Sequence, residues 1–189
     1  MRVIAGEHRG RRLIVPKGLD VRPTADRVKQ FIFDVLSGEI EGADVLDLFA
    51  GTGNLGIEAL SRGAAHATFV DQNTIAAKTI TQNIELLGLE TRSTLIKRDV
   101  ISVIKHSDFP PFTFNLIFAD PPYDYENHRM LLMEIAEKKL LHPEGWLILE
   151  HPTSMSLNGT FERLAVSRVR KLGNTSISMF KNDNVNDYE

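Results

Sequence analysis

From Ala43 to about Glu150 the chain repeats one pattern: a short, nearly unbroken apolar run, a polar turn, then a longer stretch with apolar residues three and four apart. The apolar runs predict strands at 44–49, 67–71, 93–97, 114–119 and 145–150, and the longer stretches predict helices near 55–62, 74–87, 100–106 and 127–139. Strands this uniformly apolar are covered on both faces, so the alternation predicts a Rossmann-like, doubly wound α/β sheet with its strands mostly parallel. Before it, Val28, Phe31, Ile32, Val35 and Leu36 fall on one face of a helix over 24–37, with Thr24 as N-cap and Asp26 in the first turn. Arg22, Arg27 and Lys29 lie off that apolar stripe. The first twenty residues alternate loosely and predict a short hairpin with Arg9, Arg11 and Arg12 at its turn. At the other end, the segments 161–172 and 175–180 flank Gly173-Asn174, which predicts an antiparallel hairpin closing the sheet. The expected organisation is a basic hairpin and helix (1–40), one α/β domain (41–181) and a polar, flexible tail (182–189).

At 189 residues the chain suits one well-filled core. It has no cysteine, which excludes disulfides, thiolate metal sites and a cysteine nucleophile, and fits a reducing compartment. No apolar run approaches a membrane span, and the expected location is the cytoplasm, with no membrane partner. The net charge of −3 hides an asymmetry, because residues 1–30 carry eight Lys/Arg against three Asp/Glu. A basic front on an acidic body is what a docked nucleic-acid surface would carry, and equally what a solvated basic arm would carry. The six histidines are scattered without ligand spacing and read as surface or loop residues; no metal site is expected. No oligomeric state can be read, a monomer being favoured.

Candidate chemistry concentrates at the predicted strand ends. Asp120-Pro121-Pro122-Tyr123 follows the apolar run 114–119, and in an open α/β sheet ligands bind at that end of the strands. Prolines lack an N–H and fix φ, so the turn holds carbonyl oxygens outward beside the Asp120 carboxylate. Such a set of acceptors suits a planar amine such as that of a nucleobase, and Tyr123 offers a face for stacking. The competing reading is a plain β-to-α turn with an N-capping Asp.

Upstream, Gly51, Gly53 and Gly56 satisfy G-x-G-x-x-G after the strand at 44–49, with Asp71 twenty residues beyond Gly51. Alone this fits a dinucleotide loop. Asp47, however, places a carboxylate near what would be a pyrophosphate, and better suits the ammonium of an amino acid. Asp99 and the N–H of Val100 form a natural pair for the amine and ring nitrogen of adenine, and a hydride transferase has no need of Asp120-Pro121-Pro122-Tyr123. Asp47, Asp71, Asp99 and Asp120 thus end four successive strands in the order methionine part, ribose, adenine and acceptor. Each could separately be a helix N-cap.

These motifs resemble the class I methyltransferases that use S-adenosyl-L-methionine on exocyclic amines. More narrowly, Arg9-Gly10-Arg11-Arg12-Leu13, Arg22-Pro23-Thr24-Ala25-Asp26-Arg27-Val28, Leu46-Asp47-Leu48-Phe49-Ala50-Gly51-Thr52-Gly53, Glu58-Ala59-Leu60-Ser61-Arg62-Gly63-Ala64 and Asp120-Pro121-Pro122-Tyr123 are similar to the RsmD family. The resemblance covers nearly the whole chain. It implies methylation of the N2 amine of one guanine in 16S ribosomal RNA of the small subunit. Asp120, Pro121 and Tyr123 would be catalytic; Asp47, Phe49, Gly51, Gly53, Asp71, Gln72, Asp99 and Val100 would hold the cofactor; Arg9, Arg11, Arg12, Arg22 and Arg27 would meet RNA. Lys29-Gln30 stands where the family usually has Arg-Glu, and Glu7-His8 where it tends to be basic and aromatic. A DNA adenine-N6 methyltransferase and a non-catalytic RNA-binding assembly factor on the same fold are the alternatives. Guanine N2 and adenine N6 are not distinguished by the Asp-Pro-Pro-Tyr motif alone.

Overall fold

The computed structural model describes residues 1–16, 23–106, 108–157 and 159–182. Arg22 and the tail from residue 183 therefore lie outside the described residues. The first helix is α1 (Pro23–Val35). The alternating body follows as β1 (Asp44–Leu48), α2 (Asn54–Ser61), β2 (His66–Val70), α3 (Thr74–Leu87), β3 (Ser93–Ile96), α4 (Val100–His106), β4 (Phe114–Ala119), α5 (His128–Glu137) and β5 (Leu141–Pro152). Strands β6 (Thr160–Phe161), β7 (Leu164–Leu172) and β8 (Thr175–Asn182) complete an eight-stranded sheet in the order β3-β2-β1-β4-β5-β8-β7-β6. The first five strands are parallel; β8 runs antiparallel to β5, and β7 to β8. Order reverses between β1 and β4, so the crevice of a doubly wound sheet opens there.

The sheet's two faces carry separate cores. On one, Phe33 and Ile32 of α1 pack with Ile57, Ile80, Phe69, Phe118, Ile148 and Met179. On the other, α4 and α5 cover Leu46, Leu48, Ile117, Leu147 and Phe180. Alternation along each strand places Asp47, Asp71 and Asp120 on the α1–α3 face, at the end of the sheet where the parallel strands finish.

Three expectations are corrected here. Helix α1 begins at Pro23, so Thr24 lies inside its first turn instead of capping it; proline suits that opening position, where a free N–H would have no partner. Strand β5 starts four residues earlier than expected, at Leu141, because Leu141 pairs with Phe114 across a register shift that the His142-Pro143-Glu144 sequence disguised. The N-terminal hairpin is reduced to one antiparallel bridge, Arg2 with Arg12, supported by three backbone bonds between residues 1–3 and 10–13.

That N-terminal segment is bolted to the body. Val3 and Leu13 enter the α1–α3 core. The buried Glu58 carboxylate of α2 accepts the backbone N–H groups of Ile4 and Ala5, while Ser61 Oγ accepts from His8 and donates to the Ala5 carbonyl. A Cβ at Gly6, where φ is 79°, would lie 1.7 Å from the Ser61 carbonyl oxygen, so only glycine permits the approach. Lys29 does not face solvent as its place off the apolar stripe implied. It is 1% exposed, with Nζ 3.1 Å from Glu58 and bonded to the Arg2 carbonyl and Asn54 Oδ1. Arg62, 2.8 Å from Glu58, stacks over Phe33. The 58–64 motif is thus the clasp for the front segment.

Candidate active site

The glycine turn between β1 and α2 is built around Asp47. Its side chain is buried beneath the turn, and Oδ2 accepts the N–H of Gly56 at 2.9 Å. A Cβ at Gly56 would meet the Phe69 ring at 2.4 Å, so the helix can pack this closely on β2 only through glycine. Burial pushes the Asp47 carboxyl up to about 8; Gly56 pulls it back, and the nearby Asp120 and Asp71 carboxylates raise it further. A dehydrated carboxylate with acidic neighbours is a place that a cation would relieve.

Asp71 turns one oxygen to the N–H of Gly51, 2.8 Å away, and the other to the N–H of Asn73. It therefore ties the end of β2 to the glycine turn and retains further acceptor capacity. Gln72 beside it is exposed. Asp99 accepts from Ser102 as the cap of α4. The helix-capping role is real for Asp99, and Asp47 likewise bonds a first-turn N–H of α2. Capping consumes only part of each carboxylate's acceptor capacity.

Asp120 is different, since it caps nothing. It follows β4, on the strand adjacent to β1, and its carboxyl is pushed up to about 6 by the protein packed around it. The side chain is open to water, which limits the size of that shift but not its direction. Pro121 is buried, and the Pro122 carbonyl accepts from the N–H of Tyr125, closing the turn. Tyr123 projects from it, 73% exposed, with its ring free to meet a ligand.

A residue that the sequence reading passed over joins this constellation. Tyr125 packs edge-on against Phe49 with ring centroids 5.0 Å apart, and its hydroxyl is buried without a hydrogen-bond partner among the described residues. Burial, with the Asp99 charge, pushes that phenol up to about 12. Phe49 itself holds φ at 58°, a left-handed conformation that costs a bulky residue about 1–3 kcal/mol. Phe49, Tyr125, Asp99 and the buried Val100 thus mark a second half of the crevice, apolar and flat, beside the acidic half. Two residues after the proline turn, a tyrosine carries no spacing signal of its own.

Two histidines are not surface residues as expected. His128 and His151 are buried, with ring centroids 6.5 Å apart, and burial pushes both imidazoles down. His128 also stacks edge-on against Tyr125.

The basic residues divide. Arg27 is exposed on α1, whose neighbour Lys29 bonds Asn54 at the start of α2. Arg9, Arg11 and Arg12 are exposed, but the 6–9 turn is bonded to Ser61 at the far end of α2. Eight residues of helix put that turn about 12 Å below the glycine turn. The structure therefore brings Asp47, Asp71 and Asp120 together and leaves Arg9 at the far end of α2, while Arg12, bridged to Arg2, lies toward the glycine-turn end, where Thr52 meets Met1 and is linked to Ile14 through Asn83. No group of three or more His, Asp or Glu suited to a metal ion occurs among the described residues, and none of their helices is long and apolar enough to cross a membrane.

The model of the family described as conserved hypothetical protein 95 matches residues 1–181. The chain belongs to this family, the RsmD family. Among RsmD relatives, "Putative rRNA methyltransferase YlbH" of Bacillus subtilis is 36% identical over 181 residues, 96% of this chain and 98% of its own length. Ribosomal RNA small subunit methyltransferase D of Escherichia coli is 37% identical over 147 residues, covering 78% of this chain and 69% of that protein. A solved structure, "Putative methyltransferase yhhF" from Escherichia coli, superposes with a TM-score of 0.86 at 28% identity, covering 98% of this chain and 99% of the other. Family and fold expectations agree with these matches.

Proposed function

We propose that this protein transfers a methyl group from S-adenosyl-L-methionine to the exocyclic N2 amine of a guanine in 16S ribosomal RNA of the small subunit. The observation that carries the reading is the placement of Asp120-Pro121-Pro122-Tyr123 on the strand next to the glycine turn, with Asp47 and Asp71 beside it. Relatives in the same family are named as methyltransferases of ribosomal RNA, one of them of the small subunit.

The residues present fit the cofactor. Its ammonium and sulfonium charges answer the dehydrated Asp47, its ribose hydroxyls suit the spare acceptors of Asp71 with Gln72 beside them, and its adenine suits the flat Phe49–Tyr125 half with Asp99 and the Val100 N–H. Gly51 and Gly53 keep the turn free of side chains where the ligand would pass. When bound, the cofactor supplies an electrophilic methyl group.

The chain's own contribution is to make a poor nucleophile good. The guanine N2 lone pair is delocalised into the ring; Asp120 and the Pro121 carbonyl accept its two N–H bonds and draw the nitrogen toward tetrahedral geometry. Tyr123 stacks on the extruded base, because a paired base cannot reach such a pocket. Most of the acceleration comes from alignment, with the Asp120 charge supporting the cation that develops on nitrogen.

The test is Asp120→Ala. It should bind S-adenosyl-L-methionine within a fewfold of the wild type and lose methyl transfer to ribosomal RNA by at least about a thousandfold. Equal turnover in mutant and wild type contradicts the assignment.

A further inference from the structure

We propose that the C-terminal hairpin carries a second RNA-phosphate surface, formed by Arg168 and Arg170 of β7 and continuous with Arg27 of α1. It rests on the ribosomal-RNA reading above and adds where the strand flanking the target base is gripped.

Charge supports it first. Residues 163–181 contain five Lys/Arg and no Asp/Glu, a local excess equal to that of residues 1–30. Arg168 and Arg170 are both exposed, and among the described residues neither makes an ion pair. Two neighbouring cations held on one face of a rigid strand and unpaired among the described residues repel one another; a polyanion is what that arrangement accommodates.

Register supports it second. Ala119 pairs with Leu149, Leu149 with Ser178, and Ser178 with Val169. The next row along the sheet therefore runs Asp120, Glu150, Ile177, Arg170. Arg170 stands level with Asp120 and on the same face, three strand spacings or about 14 Å away. Arg168, in the row of Phe118, Ile148 and Met179, extends the line along that face. The β7–β8 turn itself lies at the crevice end of the sheet, where Leu172 pairs with Thr175 and Thr175 with Pro152. One acid, Glu150, lies in the row between them.

Continuity supports it third. The Arg170 guanidinium sits over the Phe31 ring of α1 at 5.9 Å. Arg27 is one helical turn before Phe31 and so shares its face. Arg27, Arg170 and Arg168 form a strip from α1 to the hairpin, on the α1–α3 side and beginning beside the crevice. The Arg9 turn, by contrast, is bonded to the far end of α2. RNA lying across the crevice with its guanine at Asp120 runs over the hairpin strip, which stands level with Asp120, whereas that turn lies about 12 Å below the glycine turn. The occupant is therefore the phosphate backbone of the substrate RNA.

The experiment compares wild type, the double variant Arg168→Gln, Arg170→Gln, and a control, Lys138→Gln, on the opposite face. Each is measured for S-adenosyl-L-methionine affinity, for binding of a fluorescent 16S RNA fragment as a function of salt, and for methyl transfer to 30S particles. The double variant should keep its cofactor affinity and melting temperature, weaken RNA binding at least about tenfold, and flatten the slope of log K against log salt by roughly 1.5. Its KM for RNA should rise with kcat nearly unchanged, and Lys138→Gln should match wild type. RNA affinity and salt slope equal to wild type in the double variant overturn this inference while leaving the methyltransferase reading intact. Wild-type RNA binding without methyl transfer overturns that reading and not the surface. No RNA binding by the wild type overturns both.

Discussion

Lys29 and Glu58 form an ion pair 3.1 Å apart in which both side chains are fully buried, on α1 and α2 respectively. Arg62 shares the same carboxylate, and the N–H groups of Ile4 and Ala5 complete its coordination. Two cations and two N–H donors around one carboxylate satisfy what burial would otherwise leave unpaired. The pair thus joins three parts of the chain that are distant in sequence.

Removing the carboxylate strands the buried Lys29 and leaves the partly buried Arg62 unpaired. Glu58→Ala should destabilise the fold by about 3–5 kcal/mol, read from urea unfolding. Hydrogen exchange should show Ile4 and Ala5 losing protection ahead of the sheet. An Ala variant with wild-type stability means that the clasp does not hold the front segment.

The Asp120 carboxyl is raised to about 6, and it must be ionised to accept the amine's N–H bonds. The charged form is therefore lost as pH falls through that region. The value of kcat/KM should decline below about pH 6 and level off above it, and Asp120→Asn should lose both the activity and this acid limb. An acid limb retained in a residually active Asn variant assigns it to another group.

Asp47 predicts a proton linked to cofactor binding. With its carboxyl raised to about 8, most of the unliganded protein carries that proton at neutral pH. A cationic ligand docked beside it favours the carboxylate, so binding should release roughly half to one proton at pH 7. Titration calorimetry in buffers of different ionisation enthalpy measures this directly. Asp47→Asn should abolish the buffer dependence; a wild type with none would mean that the ligand's charge lies elsewhere.

The buried histidines set an acid limit on stability. His128 and His151 are pushed down from 6.5, so the unfolded chain takes up protons before the folded one does. Their contribution to stability is present above the unfolded value and is lost as pH falls below about 6.5. Asp47 acts with the opposite sign over its own window, because its raised folded value makes the folded state the better proton binder. His128→Leu leaves the Asp47 effect untouched and should flatten the loss of stability between about pH 6.5 and 5 relative to wild type. Parallel stability curves for the two proteins would exclude His128 as the cause.

Much of this was legible in the chain. Apolar runs of strand length gave the five parallel strands, and Gly173-Asn174 gave the closing hairpin, because each depends on local pattern. The four aspartates were readable as a set because each ends a strand, and the topology of a doubly wound sheet gathers such ends. What escaped depends on partners far apart in sequence. Lys29 looked like a solvent-facing cation because nothing in α1 reveals Glu58 opposite it. His128 and His151 looked scattered because their proximity arises between α5 and β5. Arg170 and Asp120 share a row only through three strand pairings, and nothing local to β7 places its charges level with the crevice. Tyr125 was hidden because a ring two residues past a proline turn acquires its place only from Phe49.

The central claim is best tested by incubating the protein with methyl-labelled S-adenosyl-L-methionine and 16S ribosomal RNA, free and in 30S particles, then digesting the RNA and identifying the labelled nucleoside. N2-methylguanosine at a single position, absent with Asp120→Ala, is the predicted result. Label in N6-methyladenosine, or no label in either substrate from a protein that binds the cofactor, would contradict it.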